Sequence, residues 1–363
     1  MSKLIHRIEQ LLINESDPQR RAELEAKRAS YLARVGRFRD AEDSIASIRK
    51  VFGDGRSGRV TVLVMIAEAL VMYYQKLAPG AADRVARAQL LGQAMRDSEL
   101  IALASAWRGF FEFEASKFES AFRSILLATE YASEEDHSTS TRCAIVISLG
   151  FALCGQSAES NSWFLEGRDH ALKDGDQASI DALQYNKAAF GVSWLCAQRC
   201  KGLVDPAATK HARMELNSAR NLQGLVQVDA HSSYVDLSDA RLCILEGRHE
   251  TALRTLDVVA AAGPFPTGHF NSSLLALEIA YCRASLHLVE PALEAFAKFE
   301  PSSITALDVD DRLLAAWIVN ELSAVDLRFG QPSDSAKALA EAIEEQDAAV
   351  ASLAAQVARF SRT

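Results

Sequence analysis

The sequence lacks several of the short motifs that mark common catalytic and phosphate-binding sites. The patterns GxxxxGK[ST] and GxSxG are absent, and none of the eight histidines has a partner at the HExxH spacing. A glycine-rich run at residues 53–55 follows no apolar strand and leads to no Lys-Ser or Lys-Thr pair. The six cysteines form no CxxC pair and no Cys/His pattern of metal ligands. We therefore expect no enzyme active site, no cofactor and no metal centre in these residues.

The sequence also lacks a basic excess and a long apolar run. Its 39 basic and 48 acidic residues give a net charge of -9, which disfavours duplex nucleic acid as a partner because that affinity depends on clustered Lys and Arg. No apolar stretch is long enough to span a membrane, and the first 14 residues form an amphipathic pattern unlike a signal peptide. With cysteines in apolar helical context, these absences predict reduced thiols and a cytoplasmic protein.

What the sequence does contain is a recurring joint between two helices. In the run LARVGRFRDA at residues 32–41, Gly36 can adopt the left-handed backbone that ends a helix. Ala41 is small enough for the second helix to approach closely, and Ile45 and Ile48 continue its buried face. One such hairpin cannot bury its own apolar faces, so it needs neighbouring copies.

Looser copies of the joint follow along the chain, each centred on a small residue of the second helix. These anchors are Ala41, Ala121, Ser160, Ala252, Ala292 and Ala336. Their separation is about 40 residues, or about twice that where a degenerate copy lies near residues 79–82 and near residues 205–208. The sequence therefore predicts an all-α fold, a right-handed superhelix of about eight helical hairpins.

A superhelix of this kind offers a concave surface lined by the first helix of each hairpin. Aligning the hairpins on their joints directs several Arg, Tyr and Asn side chains towards that surface, and Arg and Tyr often anchor interfaces. The predicted groove residues are Arg142, Tyr185, Asn186, Tyr234, Arg241 and Tyr281. We expect them to bind a protein or peptide segment, or a small effector, although each could equally lie on a solvated helix face.

The last helix continues beyond the length of its predecessors. From Ile343 its apolar residues fall at the a and d positions of a heptad repeat, which predicts a short coiled-coil seam and a possible homodimer. The seam residues are Ile343, Val350, Leu353, Val357 and Phe360. This pattern divides the chain into a repeat domain at 1–342 and a signalling helix at 343–363. The alternative is a capping helix that folds back on the eighth hairpin.

The joints at residues 32–41 and 242–252 resemble the tetratricopeptide repeat, although the spacing is longer than the 34 residues of that family. The tail QDAAVASLAAQVARFSRT, at residues 346–363, resembles the helix that precedes the catalytic domain of bacterial diguanylate cyclases. That resemblance implies a sensory region that controls the pairing of two catalytic domains. The opening motif and the signature of the catalytic domain are absent here, so no catalytic residue is implied in this chain.

Two other functions fit an acidic chain made of helical repeats. One is a stand-alone adaptor that binds a protein or peptide along its groove. The other is the sensor region of a transcription activator. The heptad seam favours the cyclase-linked sensor, because an adaptor usually ends in a polar capping helix.

Overall fold

The computed structural model describes residues 2–52, 57–76, 80–226, 232–261 and 271–361, and within them it contains 17 α-helices and three short 3₁₀ turns. The glycine-rich run at 53–55 lies outside the described residues. The helices are α1 Lys3–Asn14, α2 Pro18–Arg34, α3 Phe38–Phe52, α4 Gly58–Lys76, α5 Gly80–Met95, α6 Ser98–Glu114, α7 Phe118–Tyr131, α8 His137–Leu153, α9 Ser157–Asp174, α10 Gln177–Cys200, α11 Pro206–Val226, α12 Ser232–Leu245, α13 His249–Ala261, α14 Ser272–Ser285, α15 Val289–Phe296, α16 Val309–Val325 and α17 Pro332–Val357.

After α1, the helices pair as eight consecutive hairpins, from α2–α3 to α16–α17. Each helix of a pair packs closely along its hairpin partner, and neighbouring hairpins then pack on one another. Both degenerate copies are hairpins as well, since α5 begins at Gly80 and α11 at Pro206. The prediction of an all-α solenoid of about eight hairpins is confirmed.

Asp or Asn side chains cap the N-terminus of the first helix in most hairpins. Asp97 accepts a hydrogen bond from the backbone N–H of Leu100 at 3.2 Å, and Asp308 accepts one from Asp311 at 2.8 Å. Such caps satisfy backbone donors that the first helical turn leaves without partners. The capping residues are Asp17, Asp97, Asp136, Asp176, Asn271 and Asp308.

In six of the hairpins, the joint between the two helices has a residue with positive φ five positions before the buried anchor. Gly36 has φ +81° and precedes Ala41, which is fully buried. Ser116 and His287 adopt the same conformation, with φ +56° and +63°, although neither is glycine. The left-handed conformation at the joint therefore occurs even where a residue other than glycine occupies this position.

The constant spacing of the joint corrects the last predicted anchor. Ala336 is exposed, whereas Ser335 is 6% exposed and lies five residues after Gly330. The Ser335 hydroxyl lies 2.6 Å from that of Ser323 on α16. A serine pair bridges the two helices here, and the anchor of this hairpin is Ser335 rather than Ala336.

The first helices of the hairpins form a continuous inner row. Helices α2, α4, α6, α8, α10 and α12 contact one another in that order, α14 contacts α16, and α10 also contacts α16. The row curls enough to bring the start of the chain against the α9–α10 turn, where Arg34 on α2 contacts Asp176 at 2.7 Å. The Ser2 hydroxyl donates to the Gly175 carbonyl at 2.7 Å in the same region.

Helix α17, the longest that the structure describes, connects two distant parts of the solenoid. Its first half packs on α16 as the second helix of the last hairpin, and its second half packs on α7 and α8. The Phe360 ring lies 5.8 Å from the Phe122 ring, and the Trp163 indole N–H donates to the Phe360 carbonyl at 3.1 Å. Phe360 therefore belongs to the core built by the first four hairpins.

This path differs from the seam expected to pair with a second chain. Leu353 and Val357 are at most 1% exposed and Phe360 is 9% exposed, all within one intramolecular core, while Ile343 and Val350 are partly buried. The physical reason is that a heptad of apolar residues requires an apolar partner surface, which α7 and α8 of the same chain provide. Nor is α17 a cap on the eighth hairpin alone. The predicted boundary between 342 and 343 falls inside this single helix.

Two glycines within inner-row helices offer a matched test of this packing. A Cβ on Gly150 of α8 would lie 2.6 Å from the Phe122 ring and 3.4 Å from Val357, whereas a Cβ on Gly191 of α10 would meet nothing within 4 Å. We expect Gly150→Ala to lower the free energy of unfolding by about 1–3 kcal/mol through overpacking. Gly191→Ala should raise it by about 0.5–1 kcal/mol through helix propensity. Urea denaturation measures both, and equal effects would contradict the close packing around Gly150.

Candidate binding surface

The inner row carries two separate groups of aromatic and charged side chains. The first group, which we call the inner chamber, lies within the first five hairpins and α12. Its members are Arg34, Tyr73, Tyr74, Trp107, Glu114, Arg142, Tyr185 and Tyr234. Solvent reaches this chamber, because Tyr73, Tyr74, Tyr185 and Tyr234 are each partly exposed.

Arg142 is the central cation of the inner chamber. Its side chain is 3% exposed, and its guanidinium carbon lies 3.8 Å from the centre of the Trp107 ring and 5.1 Å from that of Phe110. The buried Nη1 atom has no hydrogen-bond partner, and no carboxylate of the described residues forms an ion pair with this side chain. Burial lowers the pKa of Arg142, as expected for a desolvated cation. The aromatic faces stabilise its charge without satisfying its N–H groups.

Arg34, on the neighbouring wall, has the partners that Arg142 lacks. Its Nη1 atom donates to Asp176 at 2.7 Å and to the Ser179 hydroxyl at 2.9 Å. Burial opposes ionisation of Asp176, but the contact with Arg34 outweighs it and lowers the pKa of that carboxyl group. This buried pair is therefore fully ionised and internally compensated.

Tyrosines from three helices complete the inner chamber. The Tyr73 hydroxyl donates to Glu114 at 3.0 Å, and the Tyr185 and Tyr234 rings meet edge to face at 6.4 Å. Burial, with a smaller contribution from the Glu114 carboxylate, raises the pKa of Tyr234 to about 12. These hydroxyl groups stay protonated at neutral pH, because burial raises the pKa of each.

The second group lies in the last three hairpins and contains the remaining predicted arginine and tyrosine. Arg241 forms ion pairs with Glu278 at 2.7 Å and with Asp311 at 3.2 Å, so its charge is compensated within the chain. The Tyr281 ring packs on Trp317 with centres 5.0 Å apart. These contacts are those of a structural network between α12, α14 and α16.

The six predicted groove residues therefore separate into two sets. Arg142, Tyr185 and Tyr234 come together in the inner chamber, whereas Arg241 and Tyr281 belong to the second group. Asn186 is partly exposed on α10 beside Tyr185. Arg142 was expected on a solvent-facing groove surface, but its side chain is buried.

The prediction of groove residues did not include Arg34, Tyr73, Tyr74 or Trp107. Tyr73 and Tyr74 lie near the end of α4, and the same alignment on the joints could have identified them. Arg34 could not be identified in that way, because its role depends on Asp176 and the curl of the superhelix.

An open cleft of about 1110 Å³ lies beside the inner chamber. Its walls come from the α6–α7 joint on one side and from α16 and α17 on the other. Lining side chains include Tyr73, Glu114, Lys117, Arg312 and Glu345, so both signs of charge are represented. The cleft therefore joins the inner chamber to the crossing helix α17.

Within the described ranges, no group of three or more His, Cys, Asp or Glu side chains could hold a metal ion, and no helix is long and apolar enough to cross a membrane. The arrangement is that of an all-α solenoid with a partly closed polar and aromatic interior. The sequence matches no protein-family model and no curated protein at a significant level of similarity.

Asp181 offers a test of the dry interior next to the inner chamber. This α10 carboxyl group is 2% exposed, and burial raises its pKa from 3.8 to about 6. A raised carboxyl pKa favours the folded state when the group is protonated, so that stabilisation is complete below pH about 4 and is lost as pH rises through about 6. We expect Asp181→Asn to raise the free energy of unfolding at pH about 7.5, by up to about 3 kcal/mol, and to have little effect at pH about 4.

Urea titrations at several pH values measure this difference. Asp169→Asn, a substitution at a solvent-facing carboxylate on α9, is the control and should show no such gain at neutral pH. A gain of the same size for both variants would contradict a buried Asp181.

Proposed function

We propose that this chain is a non-catalytic sensory module in which binding to the inner wall is coupled to the position of the C-terminal helix. The observation that carries the proposal is the path of α17, which links the last hairpin to the core of the first four. A tetratricopeptide-like solenoid of bacterial signalling, located in the cytoplasm, is the setting that best fits it. The output in this proposal is an attached diguanylate cyclase domain.

The first anchor of α17 is a polar network around its middle. Lys201, at the end of α10, donates to the Gln346 side-chain oxygen at 2.5 Å, and Gln346 donates to Asp310 on α16 at 3.1 Å. Gln346 is only 4% exposed. Three helices therefore meet at this one residue of α17.

The second anchor is apolar and lies about two to four turns further on. Leu353, Val357 and Phe360 pack into the core that contains Phe122 and Phe151. The second anchor lies on the third and fourth hairpins, whereas the first anchor includes Asp310 on the distant eighth hairpin. A change in the curl of the superhelix must therefore move one anchor relative to the other, and α17 must follow one of them or detach.

A ligand shifts such an equilibrium only if it binds one arrangement better than the other. The inner chamber is suited to this role because its walls come from α2, α4, α6, α8, α10 and α12, which separate or approach as the superhelix opens or closes. Contacts across the chamber would differ between the two arrangements. Release of the second anchor would then free the seam residues for pairing with a second chain.

The second candidate function is an adaptor for a protein or peptide, and the open cleft favours it. A cleft of about 1110 Å³ with charges of both signs is large enough for a short polar segment. A sensor region of a transcription activator would use the same inner wall and a different output domain.

Leu353→Ala tests the anchoring of α17, with Leu216→Ala as a matched control. Both leucines are at most 1% exposed, but Leu353 anchors α17 whereas Leu216 lies in the separate core around α11. Each substitution should lower the free energy of unfolding by about 2–5 kcal/mol. Only Leu353→Ala should increase amide hydrogen exchange of residues 343–361 selectively. Equal exchange in the two variants would contradict the anchor.

The output is tested in the full product of the native gene. Cyclic dinucleotide synthesis from GTP is measured for the unsubstituted protein, Leu353→Ala and Leu216→Ala. We expect Leu353→Ala to change the rate several-fold while Leu216→Ala leaves it close to the unsubstituted value. A gene product without a cyclase domain, or identical rates for the two variants, would rule out this output.

A further inference from the structure

We propose that the inner chamber is a binding site for the carboxylate group of a small apolar or aromatic monocarboxylic acid, held by Arg142 over Trp107. This inference deepens the proposed function and rests on it for the role of the inner wall. It names the class of ligand and the residue that recognises it.

The first step is the uncompensated charge of Arg142. Burial of a cation is costly unless it is paired and hydrogen-bonded. The other two arginines of the inner row discussed above meet that condition, because Arg34 has Asp176 and Arg241 has Glu278 and Asp311. Arg142 has two aromatic faces and a buried Nη1 with no acceptor. A ligand acceptor would remove this deficit.

The second step is the charge of the ligand. Arg34 is neutralised by Asp176 and does not add a second free cation to the inner chamber. Glu114 lies elsewhere in the chamber and accepts from Tyr73, so the local charge available to an anion is that of one guanidinium group. A monovalent carboxylate matches one guanidinium, whereas a phosphate dianion would enter the chamber with an uncompensated charge. The planar fork of arginine also matches a carboxylate in a bidentate arrangement.

The third step is the body of the ligand. Trp107 and Phe110 lie on the Arg142 guanidinium, and Tyr73 contacts Phe110 with ring centres 5.6 Å apart. A ligand whose carboxylate reaches Arg142 would therefore lie among aromatic rings. Apolar or aromatic substituents gain most from such a surface, and hydrated ones gain least. The partly exposed Tyr73 and Tyr74 mark the route from solvent.

Binding of benzoate, acetate and inorganic phosphate to the whole chain tests the proposal, by calorimetry at constant ionic strength against chloride. We expect benzoate to bind, acetate to bind more weakly and phosphate not to bind above chloride. Arg142→Gln should weaken benzoate binding about tenfold or more, because it removes a charge-assisted hydrogen-bond pair. Arg123→Gln, at an exposed arginine on α7, should leave it unchanged.

Arg142→Lys keeps the proposal testable if Arg142→Gln does not fold. Lysine retains the charge but cannot present two parallel donors, so benzoate should bind with a several-fold higher Kd. Absence of benzoate binding to the unsubstituted chain, preference for phosphate, or unchanged binding in both Arg142 variants would overturn the site. If an ordered water satisfied Nη1 instead of a ligand, benzoate would not bind to the unsubstituted chain.

Hydrogen exchange of residues 343–361 with and without benzoate separates this proposal from the proposed function. Benzoate binding that requires Arg142 but leaves exchange unchanged would support the site and contradict the coupling to α17. Absence of benzoate binding would overturn the site alone, because the selective exchange effect of Leu353→Ala tests the anchoring of α17 without a ligand.

Discussion

Each hairpin of this chain leaves an apolar face that only another hairpin can cover, and the rest of the structure follows from that constraint. Close approach of the two helices depends on small buried anchors such as Ala41, Ala121 and Ala252, each with no exposed surface. Stacking covers most of the remaining faces but leaves those at the ends. In the C-terminal hairpin, the apolar face of the second half of α17 is covered by α7 and α8.

The same curl that buries apolar surface also encloses charge. Where a carboxylate comes from a distant hairpin, as Asp176 does for Arg34, the enclosed cation is compensated. Arg142 is enclosed by aromatic rings instead, and the cost of its desolvation is only partly offset. This buried group without a partner is the reason that our proposals centre on the inner chamber, and not on the compensated network around Arg241.

The path of α17 gives the solenoid a contact between its two halves. Most repeat proteins are held together by nearest neighbours alone, so a change at one end is not felt at the other. Here Gln346 on α17 contacts Asp310, and Phe360 just beyond α17 contacts Phe122, so this segment joins the eighth hairpin to the third. In our proposal, binding to the inner wall and movement of the C-terminal helix belong to one equilibrium.

The sequence by itself determined the local units. The left-handed joint at Gly36, the anchor five residues later and the caps such as Asp97 depend on neighbours within a few positions, so their pattern is readable without a structure. The misassigned anchor at Ala336 shows the limit of reading each copy alone, since only the common spacing identifies Ser335.

Only the tertiary structure decided which groups meet across the superhelix. The apolar period of residues 343–360 predicts packing on an apolar surface, but not whether that surface belongs to the same chain. The sequence likewise shows that Arg142 carries a charge, but not whether a carboxylate of the same chain neutralises it. Both depend on the curl of the whole array, which sums small rotations over eight hairpins and is encoded at no single position.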